Sequence, residues 1–131
     1  VLNNLGAERA FVLHSKDGLD EISTAAPTHI AEVKDGHVST YDLNPEDFGL
    51  TRASLEDLRG GETDENAAIV RSILQGEQGP RRDIVLLNAS AAIVAGGKAE
   101  DFREGIVVAT RAIDSGSALA KLDALVEMTN R

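Results

Sequence analysis

Three carboxylates fall within five residues in Asp17-Gly18-Leu19-Asp20-Glu21. They directly follow Arg9-Ala10-Phe11-Val12-Leu13-His14, a short apolar run with the length of a buried strand. Strand ends in open α/β sheets are where ligands commonly bind. The adjacent Asp20 and Glu21 supply hard oxygen donors, and Mg2+ typically takes one or two carboxylates with waters and substrate phosphates. The same residues also make an ordinary solvated turn, in which Asp17 hydrogen-bonds its own backbone. Spacing alone favours the turn.

Other candidates are weaker. Gly60-Gly61-Glu62-Thr63-Asp64-Glu65-Asn66 leads glycine into a helix start, where backbone N–H groups can cradle an anion. Its own acids would repel that anion and suit the helix dipole, so the segment reads as a cap. Gly96-Gly97-Lys98 ends like a phosphate-binding loop, but Ala92 replaces the first glycine and Ala99 the hydroxyl residue. His14, His29 and His37 lack metal-binding spacing. His14 adjoins the acidic turn and could hold it, or act as an acid near a leaving group, but the expected role is that of a partly buried structural histidine. Ser23, Thr24 and Ser90 have no evident base partner, which leaves a serine nucleophile unsupported. Arg81-Arg82, beside Pro80, reads as a loop contact or salt bridge.

Composition narrows the class. The chain has 131 residues, 42% hydrophobic and 27% charged, close to a soluble globular average. That length suits one domain able to bury roughly two-thirds of its unfolded surface. Cys is absent, which removes disulfides, thiolate nucleophiles and Cys-based zinc sites. Residues 1–80 hold 6 basic and 15 acidic side chains while residues 81–131 hold 7 of each, so the excess of nine acids lies wholly in the first part. Such a field repels nucleic acid and anionic membrane. It would also repel a phosphorylated substrate that came without a divalent cation. Only four aromatics occur, Phe11, Tyr41, Phe48 and Phe102, too few for a base-stacking platform. No apolar run approaches the ~18 residues of a membrane span, and no secretory signal is visible. The expectation is a soluble, cytoplasmic α/β chain.

The elements that must position these residues are legible from periodicity. Val1, Leu2 and Leu5 before Gly6 read as a last helical turn with its glycine stop, as if the chain began inside a larger protein. Runs around His29–Val33 and His37–Leu43 flank Lys34-Asp35-Gly36, a hairpin signal. Asn44-Pro45-Glu46-Asp47 predicts a short helix with Asn as cap, stopped by Gly49. Helices are then predicted from a cap at Asp64 to Leu74, from about Arg82 to Ala95, through Phe102–Ile113, and through Leu119–Val126. The second of these is apolar almost all round and should be buried on most sides. The order is short strands first, then an antiparallel set of helices.

Taken in order, the segments resemble a known family. They run Leu5-Gly6-Ala7-Glu8-Arg9-Ala10, Asp17-Gly18-Leu19-Asp20-Glu21-Ile22-Ser23, Asn44-Pro45-Glu46-Asp47-Phe48-Gly49-Leu50, Leu58-Arg59-Gly60-Gly61, Glu65-Asn66-Ala67 and Asp83-Ile84-Val85-Leu86-Leu87-Asn88-Ala89. Together they resemble the C-terminal part of the anthranilate phosphoribosyltransferase family, over essentially the whole chain. The resemblance implies a nucleoside phosphorylase/phosphoribosyltransferase-type α/β fold. Residues 1–131 would form the C-terminal part of its large catalytic domain. It also implies transfer of phosphoribosyl from phosphoribosyl pyrophosphate to anthranilate, in tryptophan biosynthesis, with Mg2+ and a homodimeric parent. Through it, Asp20 and Glu21 match the family's acidic pair that helps hold Mg2+ at the pyrophosphate. No catalytic or substrate-binding residue is assigned.

The resemblance is also informative in its gaps. The family's helical domain, its Gly-Thr-Gly-Gly-Asp loop, its Lys-His-Gly-Asn segment and the Arg that contacts anthranilate are not matched in this sequence. Ser15-Lys16 stands where the family has His-Gly. The isolated chain is therefore expected to be inactive. A pyrimidine-nucleoside phosphorylase relative, or a non-catalytic homologue of the same fold, are the alternatives.

Overall fold

The computed structural model describes residues 1–130. Three antiparallel strands, β1 (Arg9–Ser15), β2 (Thr28–Lys34) and β3 (His37–Leu43), lie in the order β1-β2-β3. A short 3-10 turn at Leu2–Leu5 precedes them and ends on Gly6, as the apolar-then-glycine pattern predicts. Asp35 and Gly36 both take positive φ, 50° and 76°, which is the requirement of the tight hairpin turn joining β2 to β3. The register pairs Phe11 with Glu32, Leu13 with Ile30 and Ser15 with Thr28. Successive side chains alternate faces, so Phe11, Leu13, Ile30, Tyr41 and Leu43 share the inner one.

Four helices follow: α1 (Thr63–Leu74), α2 (Pro80–Ala95), α3 (Phe102–Asp114) and α4 (Ser117–Thr129). The cap of α1 is Glu62 and not Asp64, which sits within the first turn, where its charge still favours the positive helix end. The start of α2 moves to Pro80, whose fixed φ suits a first helical position. Between the sheet and α1, Asn44 caps a 3-10 turn over Pro45–Phe48 through a reciprocal box with Asp47.

α2 explains its own unusual composition. One side gives Leu87 and Ala91 to a core with Ile22, Ile30, Leu43 and Phe102. Another side gives Leu86 to a second core with Ile73, Ala109 and Ile113. A helix packed on two sides has little room for polar residues, and only positions such as Val85 and Ala92 reach solvent. Three of the four aromatics meet on the sheet side, with the Phe102 ring 5.2 Å from Phe11 and 6.0 Å from Phe48. The fourth, Tyr41, donates its hydroxyl to Glu32, which also pairs with Arg9. Burial and that bond to Glu32 push the Tyr41 phenol well above its ordinary range. The basic pair divides between the two expected roles: Arg82 is buried and ion-pairs with Asp114 at 2.7 Å, a tie from α2 to α3, while Arg81 donates to the loop carbonyl of Arg59 at 2.7 Å.

α2 and α3 approach at backbone distance. A Cβ placed on Gly105 would stand 2.8 Å from Ser90 Cβ and 2.9 Å from both its Cα and its carbonyl oxygen. Those are fixed atoms, so the helices themselves would have to separate. Gly105→Ala should therefore destabilise the fold by about 1–3 kcal/mol, read from the urea midpoint. An unchanged midpoint would show that α3 can back away from α2 freely.

Candidate functional site

The acidic segment forms the connection between β1 and β2, with Ser15 at its hub. Ser15 N–H donates to the Leu19 carbonyl at 3.0 Å, Gly18 N–H donates back to the Ser15 carbonyl at 3.1 Å, and Lys16 N–H reaches the Pro27 carbonyl at 2.9 Å. Gly18 supplies the positive φ of 95° that this reversal needs. Ser15, Ser23, Thr24 and Thr28 are all buried at the base of the loop. Thr28 Oγ1 accepts from Ser23 N–H at 3.0 Å. Ser23 Oγ donates to Asp17 Oδ2 at 2.6 Å and accepts from Ala25 N–H at 2.8 Å. Small hydroxyl residues are what a buried loop needs where its backbone groups lack a ladder.

The three carboxylates divide. Asp17 is structural, accepting from Leu19 N–H as well as Ser23, as the turn reading of the sequence expects. Burial pushes its carboxyl up, but the hydroxyls of Ser15 and Ser23 and the Leu19 amide outweigh that and hold it below the ordinary value. Asp20 and Glu21 are different. Both are exposed, and no hydrogen bond or ion pair among the described residues occupies either carboxylate. Partial burial and the neighbouring Asp20 charge both raise the Glu21 carboxyl.

Glu21 also lines a cleft of about 580 Å³ whose wall carries Leu55, Ile69, Val70 and Ile84 together with the cationic Arg59 and Arg81. An adjoining cleft of about 440 Å³, between α1 and the start of α2, shares Ile69, Ile73 and Arg81 with it and includes no residue of the acidic loop. Among the described residues no three His, Asp or Glu side chains gather as a metal cage. The donor set of Asp20 and Glu21 therefore fits a hard cation such as Mg2+ whose remaining positions are filled by water and phosphate oxygens. It does not fit an ion held by protein alone.

The remaining candidates settle on structural roles. His14 is exposed on the outer sheet face, with its ring 5.9 Å from His29, and not partly buried as the sequence suggests. The reason is strand parity: His14 alternates with inward-facing Leu13 and Ser15. Lys16 turns away from the acidic loop to pair with Asp42, which His29 Nδ1 also contacts at 2.9 Å. At the glycine pair, Asn66 exchanges two hydrogen bonds with the Gly61 backbone, each 2.8 Å, so the segment closes on itself. Ser90 Oγ is spent on the Leu87 carbonyl at 2.6 Å.

One residue beside the acidic pair figures in the sequence only as part of the Asp83–Ala89 segment, with no role assigned to it. From α2, Asn88 Oδ1 accepts from Ile22 N–H at 2.9 Å, and its Nδ2 donates to the Ile22 carbonyl at 2.8 Å. The available signal was weak: a polar side chain within an otherwise apolar helix, at a position where Asn is a poor helix former.

Comparison with known proteins agrees with this architecture. Residues 1–119 match the sequence model of the "Glycosyl transferase family, a/b domain", and the chain belongs to that family. Within it, the chain is similar to curated anthranilate phosphoribosyltransferases. It is 54% identical to that of Syntrophotalea carbinolica, over 98% of this chain and 37% of the relative. It is 56% identical to that of Desulfosudis oleivorans, over 98% and 38%. The chain thus spans less than two-fifths of the length of these relatives. Among solved structures, anthranilate phosphoribosyltransferase from Thermus thermophilus superposes with a TM-score of 0.87 at 39% identity, covering 99% of this chain and 38% of that one. The enzyme from Saccharomyces cerevisiae, in complex with PRPP and Mg, gives 0.77 at 28% identity, covering 88% and 33%.

The Asp17 network yields a signed prediction. A carboxyl held below its unfolded value adds stability that is present above the unfolded pKa and lost as pH falls through the folded one. Ser23→Ala removes one of the lowering bonds, so Asp17 should titrate at higher pH and acid unfolding should begin earlier. Carboxyl 13C NMR through an acid titration reads both; an unmoved Asp17 titration would refute the assignment.

Proposed function

We propose that this chain is the C-terminal part of the large catalytic domain of an anthranilate phosphoribosyltransferase, contributing Asp20 and Glu21 as its metal-holding carboxylates. The observation that carries the reading is the divided acidic loop. Asp17 is consumed in holding it, while Asp20 and Glu21 stand exposed with neither carboxylate paired. Similarity to anthranilate phosphoribosyltransferases over almost the whole chain supports it, as does the yeast relative's complex with PRPP and Mg.

Breaking the bond between ribose carbon and pyrophosphate builds positive charge on the sugar and negative charge on the leaving group. Mg2+, when bound, neutralises that leaving group. Asp20 and Glu21 would hold that cation, whose positive charge would offset the repulsion that an acidic surface exerts on a phosphorylated substrate. Cleavage of the C1–O bond leaves the electron pair on pyrophosphate. The anthranilate amine supplies the new C–N bond and then releases a proton. On this reading the chain keeps part of the metal site, while most of the contacts to pyrophosphate and the arginine contact to anthranilate lie outside these 131 residues, so the chain alone does not turn over. Homodimer assembly of the parent, and its cytoplasmic location, belong to the same reading.

The test uses the complete enzyme that carries this chain. Asp20→Ala combined with Glu21→Ala should lower Mg2+-dependent loss of anthranilate fluorescence on the order of 100-fold, because metal stabilisation of a leaving group is worth several kcal/mol. Melting temperature should not fall, since neither side chain holds the fold. Full activity in the double variant would remove the metal assignment. Cleavage of a pyrimidine nucleoside by inorganic phosphate, without phosphoribosyl transfer, would replace it with the phosphorylase reading.

A further inference from the structure

We infer that Asn88 is a positioning residue for the Asp20–Glu21 pair, acting through the backbone of Ile22. This rests on the metal-holding reading above.

The Asn88 carboxamide makes a closed fork. Its oxygen accepts from Ile22 N–H at 2.9 Å, and its nitrogen donates to the Ile22 carbonyl at 2.8 Å and to the Ile84 carbonyl at 2.9 Å. The two available donors and one acceptor position are thereby used in fixed directions. The Ile22 N–H belongs to the same planar peptide unit as the Glu21 carbonyl. Fixing that plane from α2 fixes the direction in which the Glu21 backbone leaves the protein, and the bond to the Ile22 carbonyl fixes the next plane. The Ile22 side chain is fully buried in the core that includes Leu87, one residue from Asn88. Side chain and backbone of Ile22 are thus both tied to one turn of one helix.

A loop needs such a tie for a reason of geometry. Mg2+ demands near-ideal octahedral coordination, and two adjacent carboxylates repel each other. On a free loop that repulsion would be relieved by backbone rotation, which would separate the pair. The Asn88 fork opposes the rotation. Outer partners that orient metal ligands commonly matter by about 10–100-fold in metal affinity.

The experiment measures Mn2+ binding to the complete enzyme with pyrophosphate by electron paramagnetic resonance, alongside melting temperature. Four variants are compared: Asn88→Ala, Asn88→Leu, Asp20→Ala/Glu21→Ala and Gly105→Ala. Asn88→Leu removes the fork while keeping a branched side chain of similar shape and a good helix former, with no charge set against the Ile22 and Ile84 carbonyls, so it gives a second readout where Asn88→Ala leaves a cavity. The expected result is weaker Mn2+ binding in the Asn88 variants, on the order of 10-fold or more. Gly105→Ala, which loosens α2 against α3 without touching the fork, should lower the melting temperature and leave Mn2+ affinity unchanged. If the acidic double variant loses Mn2+ binding while folded Asn88 variants keep it, the positioning role is overturned. If the acidic double variant keeps full Mn2+ affinity, the metal reading fails and the inference falls with it. Equal affinity losses in Gly105→Ala and the Asn88 variants would reduce Asn88 to general stability.

Discussion

The burial of Ile22 is the constraint around which the acidic loop is organised. A residue directly after two adjacent carboxylates is driven into the core against Ile30, Leu43 and Leu87. Complete burial of an Ile side chain stabilises by about 1.5–3 kcal/mol relative to exposure. That is enough to pull a charged loop onto an apolar surface, provided the backbone entering the core finds partners. Asn88 and Thr28 provide them at Ile22 and Ser23. The outcome is a loop whose inner residues are apolar or hydroxyl-bearing and whose next residues outward are charged. The boundary falls between Glu21 and Ile22.

The helices give that anchor a rigid footing. α2 carries Asn88 and Leu87 toward the loop, and its other side is held by the core shared with α1 and α3. Backbone-level contact at Gly105 and the buried Arg82 tie to Asp114 lock α2 against α3. α2, Ile22 and the acidic pair are joined through the Asn88 fork and the shared core, so a shift of α2 against α3 would carry them as one unit and leave the geometry of the pair itself unchanged. α4 contributes no buried residue; its Ala118 packs at the edge of the second core, and the Arg71–Asp123 pair ties the helix to α1.

Much of this was legible in the sequence, for physical reasons. The hairpin followed from Asp35-Gly36, because few residue pairs accept two positive φ values in succession. The helices followed from apolar spacing and from glycines at their ends. Asp20 and Glu21 stood out as adjacent oxygen donors, but their separation from Asp17 did not. That division depends on Ser23 and Leu19 N–H meeting Asp17 in space. His14 was misplaced because a short apolar run does not state which face is inward until its partner strands are known. Asn88 was missed because its partner lies 66 residues away, and no local pattern marks a side chain that serves a distant backbone.

The central claim is that Asp20 and Glu21 hold the divalent cation of a pyrophosphate-releasing reaction. Crystals of the complete enzyme grown with Mn2+ and pyrophosphate, and measured at the manganese absorption edge, test it most directly. The account predicts an anomalous peak in direct contact with a carboxylate oxygen of Asp20 or Glu21 and bridged to pyrophosphate. Manganese bound with pyrophosphate on other side chains, and both carboxylates facing only water, would contradict it.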